Sequence, residues 1–365
     1  MSKIDDLIKG LCPDGAEFAC LDEVASLRRG SAITKKSITP GDVPVVAGGQ
    51  RPAYFHSESN RSANTVVVAG SGAYAGFVSF WSVPIFVSDA FSIEPLGDEV
   101  ISKYIFYILK NRQAELHNLK RGSGVPHVYS RDVARWKIPV PPLEVQKEIV
   151  RVLDSFTELE AELEAELEAR KKQYEYYRNT LLTFRDSVAW KPMGEVTDNF
   201  DRLRKPVTRS ERTKGKYPYY GANGIQDYVN DYILDGTYLL LGEDGSVKNK
   251  DGSPVVNWAE GKIWVNNHAH VLQAKSNALI LRFIYFYLQT IDISPYVTGG
   301  TQPKINQKNM NSIKIPIPPL EKQKEIVSIL DKFEKLTNDI SVGLPAEIEA
   351  RRKQYEYYRN KLLTF

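Results

Sequence analysis

The chain carries one long block twice. Ile138-Pro139-Val140-Pro141-Pro142-Leu143-Glu144 returns as Ile315-Pro316-Ile317-Pro318-Pro319-Leu320-Glu321, an offset of 177 positions. The match continues through Gln146-Lys147-Glu148-Ile149-Val150 and Gln323-Lys324-Glu325-Ile326-Val327, then Leu153-Asp154 and Phe156 against Leu330-Asp331 and Phe333. A second block, Lys172-Gln173-Tyr174-Glu175-Tyr176-Tyr177-Arg178-Asn179 with Leu181-Leu182-Thr183-Phe184, returns as 353–360 and 362–365 at an offset of 181. Agreement of this length is a tandem duplication, and internal repetition is read before any other feature because it governs the whole fold. Any architecture for this chain must be built twice.

The repeated blocks read as helices. Pro141-Pro142 ahead of Leu143-Glu144 supplies proline at the first turn and an acid at the positive end of the helix dipole. Apolar residues then recur at Ile149, Val152, Phe156, Leu159, Leu163, Leu167, Tyr174, Tyr177 and Leu181 in steps of three and four, with Arg170 filling the gap. That is a heptad seam with one stutter. The second copy follows through Ile326, Ile329, Phe333, Leu336, Ile340, Leu344, Ile348, Tyr355, Tyr358 and Leu362, with Arg351 in its gap. Its four extra residues keep the seam and are expected to lengthen the helix by about 6 Å, although Gly343-Leu344-Pro345 is expected to kink or split it. Residues 143–184 as one helix span roughly 60 Å, and its apolar stripe needs a partner. The other copy is the obvious one, packed as an antiparallel coiled coil. Within the first spacer Glu158-Leu159-Glu160-Ala161 recurs at 162–165 and 166–169. This is a strong helix former with a solvated acidic face. As tandem units it is also an adjustable ruler, each unit adding one turn.

The segments before the helices, 19–136 and 191–313, match only faintly. Leu21-Asp22-Glu23-Val24 resembles Met193-Gly194-Glu195-Val196, the run from Lys103 to Leu109 resembles Arg282 to Leu288, and Gly122 and Pro126 fall on Gly299 and Pro303. Short strand signals (Thr65 to Ala69, Ile85 to Val87, Tyr238 to Leu241) alternate with Gly, Pro and Asn turns, and each segment ends in an amphipathic helix near 102–117 and 280–290. The expected class is α/β (α+β), with twisted, mainly antiparallel sheets. The expected divisions are 1–140, 141–185, 186–317 and 318–365. Two copies of one scaffold with different surfaces are what two pockets of one fold with two specificities should look like.

Charge points to nucleic acid through its distribution. The net charge of the 365 residues is only +3, but cations cluster in loops with Gly, Ser, Asn, Gln and Tyr, a composition suited to phosphate anchoring plus base-edge reading. Candidate DNA contacts in the first region are Arg28, Arg29, Lys35, Lys36, Gln50, Arg51, Lys120, Arg121, Ser123 and Arg131. Those in the second are Arg202, Arg204, Lys205, Arg209, Arg212, Lys214, Asn223, Lys248, Gln302 and Lys304. The two cysteines, Cys12 and Cys20, form no CxxC pair. Neither a structural zinc site nor a disulfide framework is therefore expected, and a reducing cytoplasm is. No apolar run approaches the ~18 residues of a membrane span.

The duplicated Pro-Pro-Leu-Glu-x-Gln-Lys-Glu-Ile-Val and Lys-Gln-Tyr-Glu-Tyr-Tyr-Arg-Asn blocks, with two divergent segments before them, resemble the type I restriction–modification specificity subunits over essentially the whole chain. The resemblance implies two target-recognition domains, each reading half of a bipartite double-stranded DNA site. It also implies helices that fix the spacer and dock two methyltransferase subunits, with restriction subunits where present, and no membrane partner. S-adenosylmethionine, ATP and Mg²⁺ are then expected on those partners, with no cofactor and no metal bound by this chain. The family gives no fixed base-contact residues.

Catalytic readings find little support. The Asn/Asp-Pro-Pro-aromatic motif of adenine methyltransferases and the Gly-x-x-x-x-Gly-Lys-Ser/Thr phosphate loop are both absent. Gly70 to Gly76 runs on into Phe77-Val78-Ser79-Phe80, a strand, so a hairpin turn is expected instead of a dinucleotide loop. Asp251 with Glu260-Gly261-Lys262 has the loose order of a metal-dependent nuclease, but the first half lacks it. His56, His117, His127, His268 and His270 show no metal-ligand spacing; His268 and His270 alternate on an expected strand and read as structural. Two readings remain open beside DNA recognition: a coiled-coil adaptor whose globular ends bind protein, and the nuclease.

Overall fold

The computed structural model describes residues 3–184 and 188–365, so the division expected between 185 and 186 lies outside the described residues. The chain forms two compact units. One comprises residues up to Glu164 together with Glu347–Phe365; the other is Ala165–Ala346. The boundaries fall inside the repeated helices, so each unit combines one variable segment with part of both copies.

In the first unit α1 (Lys3–Leu11) precedes β1 (Glu17–Cys20), α2 (Leu21–Val24) and β2 (Ala25–Arg29). Then come β3 (Val43–Val46), β4 (Tyr54–His56), β5 (Thr65–Ala69), β6 (Val78–Trp81), β7 (Phe86–Val87) and β8 (Ala90–Pro95). Helices α3 (Ser102–Asn111), α4 (Gln113–Asn118) and α5 (Ser130–Ala134) lead to β9 (Lys137–Val140) and the long α6 (Leu143–Leu181). An antiparallel sheet of order β2-β8-β5-β6 lies beside a β4-β3-β7 sheet whose β3–β7 pair is parallel. The pair β1–β9 closes the segment onto α6. Every residue of β5 is buried, as a central strand covered on both faces requires. Val66 and Val68 join the core under α3, and Val67 joins a smaller cluster on the other face with Val46, Ile85 and Val87.

The second unit repeats this plan with β10 (Ala189–Pro192), α7 (Met193–Val196), β11 (Thr197–Asn199), β12 (Lys214–Gly221), β13 (Gly224–Val229) and β14 (Leu234–Gly242). It continues with β15 (Val256–Val265), β16 (Ala269–Ala274), α8 (Leu281–Leu288), α9 (Gln307–Ser312), β17 (Lys314–Ile317) and α10 (Leu320–Asn338); α11 (Leu344–Leu363) follows and from Glu347 onward belongs to the first unit. Here one six-stranded sheet, β11-β16-β14-β15-β12-β13, replaces the first unit's two. The cause is visible in the chain. Pro84 interrupts the path between β6 and β7, whereas β15 runs unbroken for 10 residues and pairs with both β14 and β12.

The repeated residues explain how helix and sheet domain are joined. Gln146 is fully buried; its Oε1 accepts from the Ile101 N–H (2.9 Å) and its Nε2 donates to the carbonyls of Glu99 and Pro141 (2.8 Å each). Gln323 does the same with Ile280 N–H (2.9 Å), Ala278 O (3.1 Å) and Pro318 O (2.9 Å). One amide thus ties the start of α6 or α10 to the start of α3 or α8. Further along, Asp154 accepts from Lys103 (2.8 Å) and Tyr107 (2.5 Å), and Asp331 accepts from Arg282 (2.7 Å).

The expected aromatic seam forms within each unit. Phe156 stacks on Tyr358 (5.6 Å, 24°) in the first, and Phe333 stacks on Tyr177 (5.5 Å, 26°) in the second. In the first unit the two helices run antiparallel: Phe156 meets Tyr355 and Tyr358, while Glu160 and Glu164 meet Arg352. The second copy is broken where Gly343-Leu344-Pro345 is expected to break it, and departs from expectation only in how its extra residues are used. Its helix splits at residues 339–343, where the Asp339 carboxylate accepts from Ser341 N–H and Oγ and Gly343 N–H returns to Asp339 O. The four extra residues are used in this break and do not lengthen the helix, and Ile340, expected on the seam, is 86% exposed. Both cysteines are free. Among the described residues no helix is long and apolar enough to cross a membrane.

Candidate nucleic-acid interface

In both units the same loops meet beside the central strand. After β5, Gly70-Ser71-Gly72 turns, as expected of a hairpin, and main-chain bridges join Ser71 to His127 and Arg121 to His127. After β14, Glu243-Asp244-Gly245 turns, and bridges join Asp244 to Lys304 and Thr298 to Lys304. Gly72 N–H donates to Pro126 O (2.9 Å) and Gly245 N–H to Pro303 O (3.0 Å). Ser71 Oγ bonds the Asp89 carboxylate; at the matching places Asp244 bonds the His268 ring. The framework is one, and the side chains on it differ.

In the first unit Arg29 and Arg131 line a concavity with Gly70, Asp89, His127 and Tyr129. The Tyr129 ring stacks on the His127 ring (5.9 Å, 13°), and the Arg131 guanidinium lies 5.0 Å from its centre. Arg121 is exposed and reaches Asp132 at 3.4 Å, Lys120 Nζ donates to Ala73 O (2.9 Å), and Ser123 is exposed at the loop tip. Lys35 and Lys36 sit exposed on a 3-10 turn, and Gln50 and Arg51 on the loop after β3. Arg28 faces Glu94 (3.6 Å) on the sheet, away from the Arg29 side as strand alternation dictates.

The second unit sorts its candidates more sharply. Arg202, Arg209 and Lys214 are exposed, and Lys205 is exposed beside Trp264 (5.8 Å). Asn223 donates to Ser246 Oγ (2.8 Å) and Lys248 to Ser294 Oγ (3.0 Å). Arg204 and Arg212 are instead built into the domain, their side chains 14% and 15% exposed. Arg212 lies over the Tyr219 ring (4.1 Å) and donates to Val207 O (3.1 Å). Arg204 binds Glu243 (2.5 Å), Asp201 (3.4 Å) and Ala269 O (2.8 Å).

Arg204 belongs to a network that the chain's linear order does not show. His270, 1% exposed, meets Asp201 through Nδ1 (2.6 Å) and the Ile305 carbonyl through Nε2 (2.8 Å). Burial alone would raise the Asp201 carboxyl, but hydrogen bonds from His270 and Val271 N–H and the nearby charges of His270 and Arg204 hold it below its ordinary range. Asp201, Glu243 and His270 lie close enough to ligate a cation, yet their charge is already met by Arg204 and by Lys304, whose Nζ is 3.2 Å from Glu243. His270 is therefore a satisfied structural histidine. The nuclease pattern does not assemble into such a cluster: Asp251 accepts from Ser253 (2.7 Å), while Glu260, on β15, accepts from Trp258 Nε1 (2.7 Å).

Comparison with known proteins agrees with this duplicated plan. The family model described as the type I restriction modification DNA specificity domain matches residues 13–169 and again 188–350. A putative type I restriction enzyme specificity subunit of Haemophilus influenzae is 45% identical over 180 residues; the match covers 48% of this chain and 46%, less than half, of that protein. The specificity subunit of the Escherichia coli type I restriction enzyme EcoR124I/EcoR124II is 34% identical over 295 residues, covering 73% of this chain and 72% of that one. The crystal structure of a type I restriction–modification S subunit from M. genitalium shares the fold, with a TM-score of 0.69, 18% identity and coverage of 96% and 97%. With the family model matching both halves, the chain belongs to the type I restriction–modification specificity subunits.

Proposed function

We propose that each unit reads one half of a bipartite DNA site and that the chain positions methyltransferase and restriction subunits without performing chemistry itself. The observation that carries this is the contrast between two kinds of surface. At the loop framework, equivalent positions hold different chemistry: Ser71 against Asp244, His127 against Lys304. On the helices, equivalent positions stay identical even where packing makes no demand. Tyr176 and Tyr357 are 66% and 62% exposed, and Lys172, Glu175 and Asn179 are exposed as well. Different loops suit different half-sites, and two identical helical surfaces suit two copies of one partner. In this reading S-adenosylmethionine, ATP and Mg²⁺ bind those partners. The basic loops anchor phosphates, a contribution that weakens as salt rises.

The test is methylome sequencing of cells expressing the chain with its neighbouring methyltransferase subunit, against cells lacking the chain. A split adenine-methylation motif that vanishes without the chain is expected. With an active methyltransferase present and no such motif, the adaptor reading takes its place.

A further inference from the structure

The two loops that cross the glycine turns differ at their tips in a way that assigns them a task. Each tip is held at both ends. Arg121 and His127 exchange main-chain hydrogen bonds of 3.0 and 2.8 Å, and Thr298 and Lys304 exchange bonds of 2.8 and 2.7 Å. The reversals depend on Gly122 (φ 108°) and Gly299 (φ 85°), where a Cβ would stand 2.9 Å from Val125 O and 2.4 Å from Gln302 O. The backbone is thus the same and fixed in both units. On it, Val125 is 57% exposed in the first unit, and exposed Gln302 occupies the equivalent place in the second. The Gln302 amide has no hydrogen-bond partner among the described residues. Cations flank both tips: Lys120, Arg121 and Arg131 on one, Lys304 and Lys308 on the other.

A tip held at both ends and flanked by cations has a shape that can enter a groove of DNA. A primary amide there can pair in two-point fashion with adenine N6 and N7, and a branched apolar side chain can cover the thymine 5-methyl group. We propose that Gln302 reads an adenine in the half-site of the second unit and that Val125 packs on a thymine methyl in the half-site of the first. The inference rests on the DNA-reading role above and names the side chains that set specificity within it.

The experiment measures affinity of the chain, assembled with its methyltransferase partner, for duplexes carrying its methylation motif. 7-Deaza-adenine replaces each adenine and uracil each thymine, one position at a time. For the wild type, one adenine in one half-site should cost about two- to tenfold on replacement, because the analogue removes the N7 half of the two-point contact and keeps the N6 donor. One thymine in the other half-site should cost about fourfold, the worth of one buried methyl group. Gln302→Leu should abolish the first penalty alone and Val125→Ser the second alone. Thermal melting checks that both variants remain folded. If the variants lose affinity evenly across all duplexes, or keep the analogue penalties, the tips do not read bases and the inference falls. If the wild type itself shows no sequence preference, the DNA-reading role fails first.

Discussion

Replacing Gln146 with leucine tests whether one amide holds each sheet domain on its helix. Leucine matches the volume and removes all three hydrogen bonds, leaving the Ile101 N–H and the Glu99 and Pro141 carbonyls without a side-chain partner. A hydrogen bond contributes about 1 kcal/mol net, and a buried group left unpaired costs about 1–3 kcal/mol. Three such bonds sum to about 3 kcal/mol. That is a large share of the 5–15 kcal/mol typical of a domain, and about a hundredfold in an opening equilibrium. Hydrogen exchange followed by mass spectrometry reads it locally. Amides at the start of α3, residues 101–105, should exchange about a hundredfold faster, while those at the start of α8, residues 280–284, should not change. Gln323→Leu should give the mirror result. A change below about threefold at α3, or equal loosening at both sites, would refute the reasoning.

Three further outcomes are expected. Glu148, buried against Lys3 (3.0 Å) and Arg151 (2.7 Å), has its carboxyl drawn from 4.5 down to about 2, chiefly by the Arg151 hydrogen bond. Its stabilisation is therefore present above pH 4.5 and lost as pH falls toward 2, so the melting-temperature gap between wild type and Glu148→Gln should be constant near neutrality and close over that window. Deleting Glu162 to Ala165 brings Leu167 and Glu168 to the places of Leu163 and Glu164, so the Arg352 contact survives. Meanwhile the α6 path shortens by about 6 Å; methylome sequencing should show a spacer shorter by one or two base pairs, and an unchanged spacer rejects the ruler. Tyr176→Ala with Tyr357→Ala removes two exposed rings that lie outside the domain cores, so melting should be unchanged while co-purification of the methyltransferase subunit drops at least tenfold. Full retention would move docking elsewhere.

The helices were legible because a packing seam writes itself in steps of three and four, and because the same seam occurs twice. Gln146 was visible as a repeated residue, but its bonds were not, since its partners lie 45 and 47 positions away. The break at 339–343 was announced by Gly343 and Pro345. Its use of the extra residues was not, because a four-residue insertion satisfies the seam equally well as helix. Basic loops were readable as charge but not as exposure. Arg204 and Arg212 sit in the same cationic run as Arg202 and Arg209, and only the fold reveals acids at 243 and 227 beside them. Val125 went unmarked because a lone valine carries no charge signal; alignment of Gly122–Pro126 on Gly299–Pro303 would have placed it opposite Gln302.

The discontinuous make-up of the first unit has a consequence for its birth at the ribosome. Tyr355, Tyr358, Leu362 and Leu363 belong to its core, yet they are translated about 200 residues after Glu164. At 5–20 residues per second the first unit waits roughly 10–40 s for them. The second unit, closed by Ala346, has its whole sequence earlier. During that interval the Phe156 ring lacks the Tyr355 and Tyr358 rings that pack on it. Premature termination anywhere in the last helix would therefore harm the part of the protein that was made first.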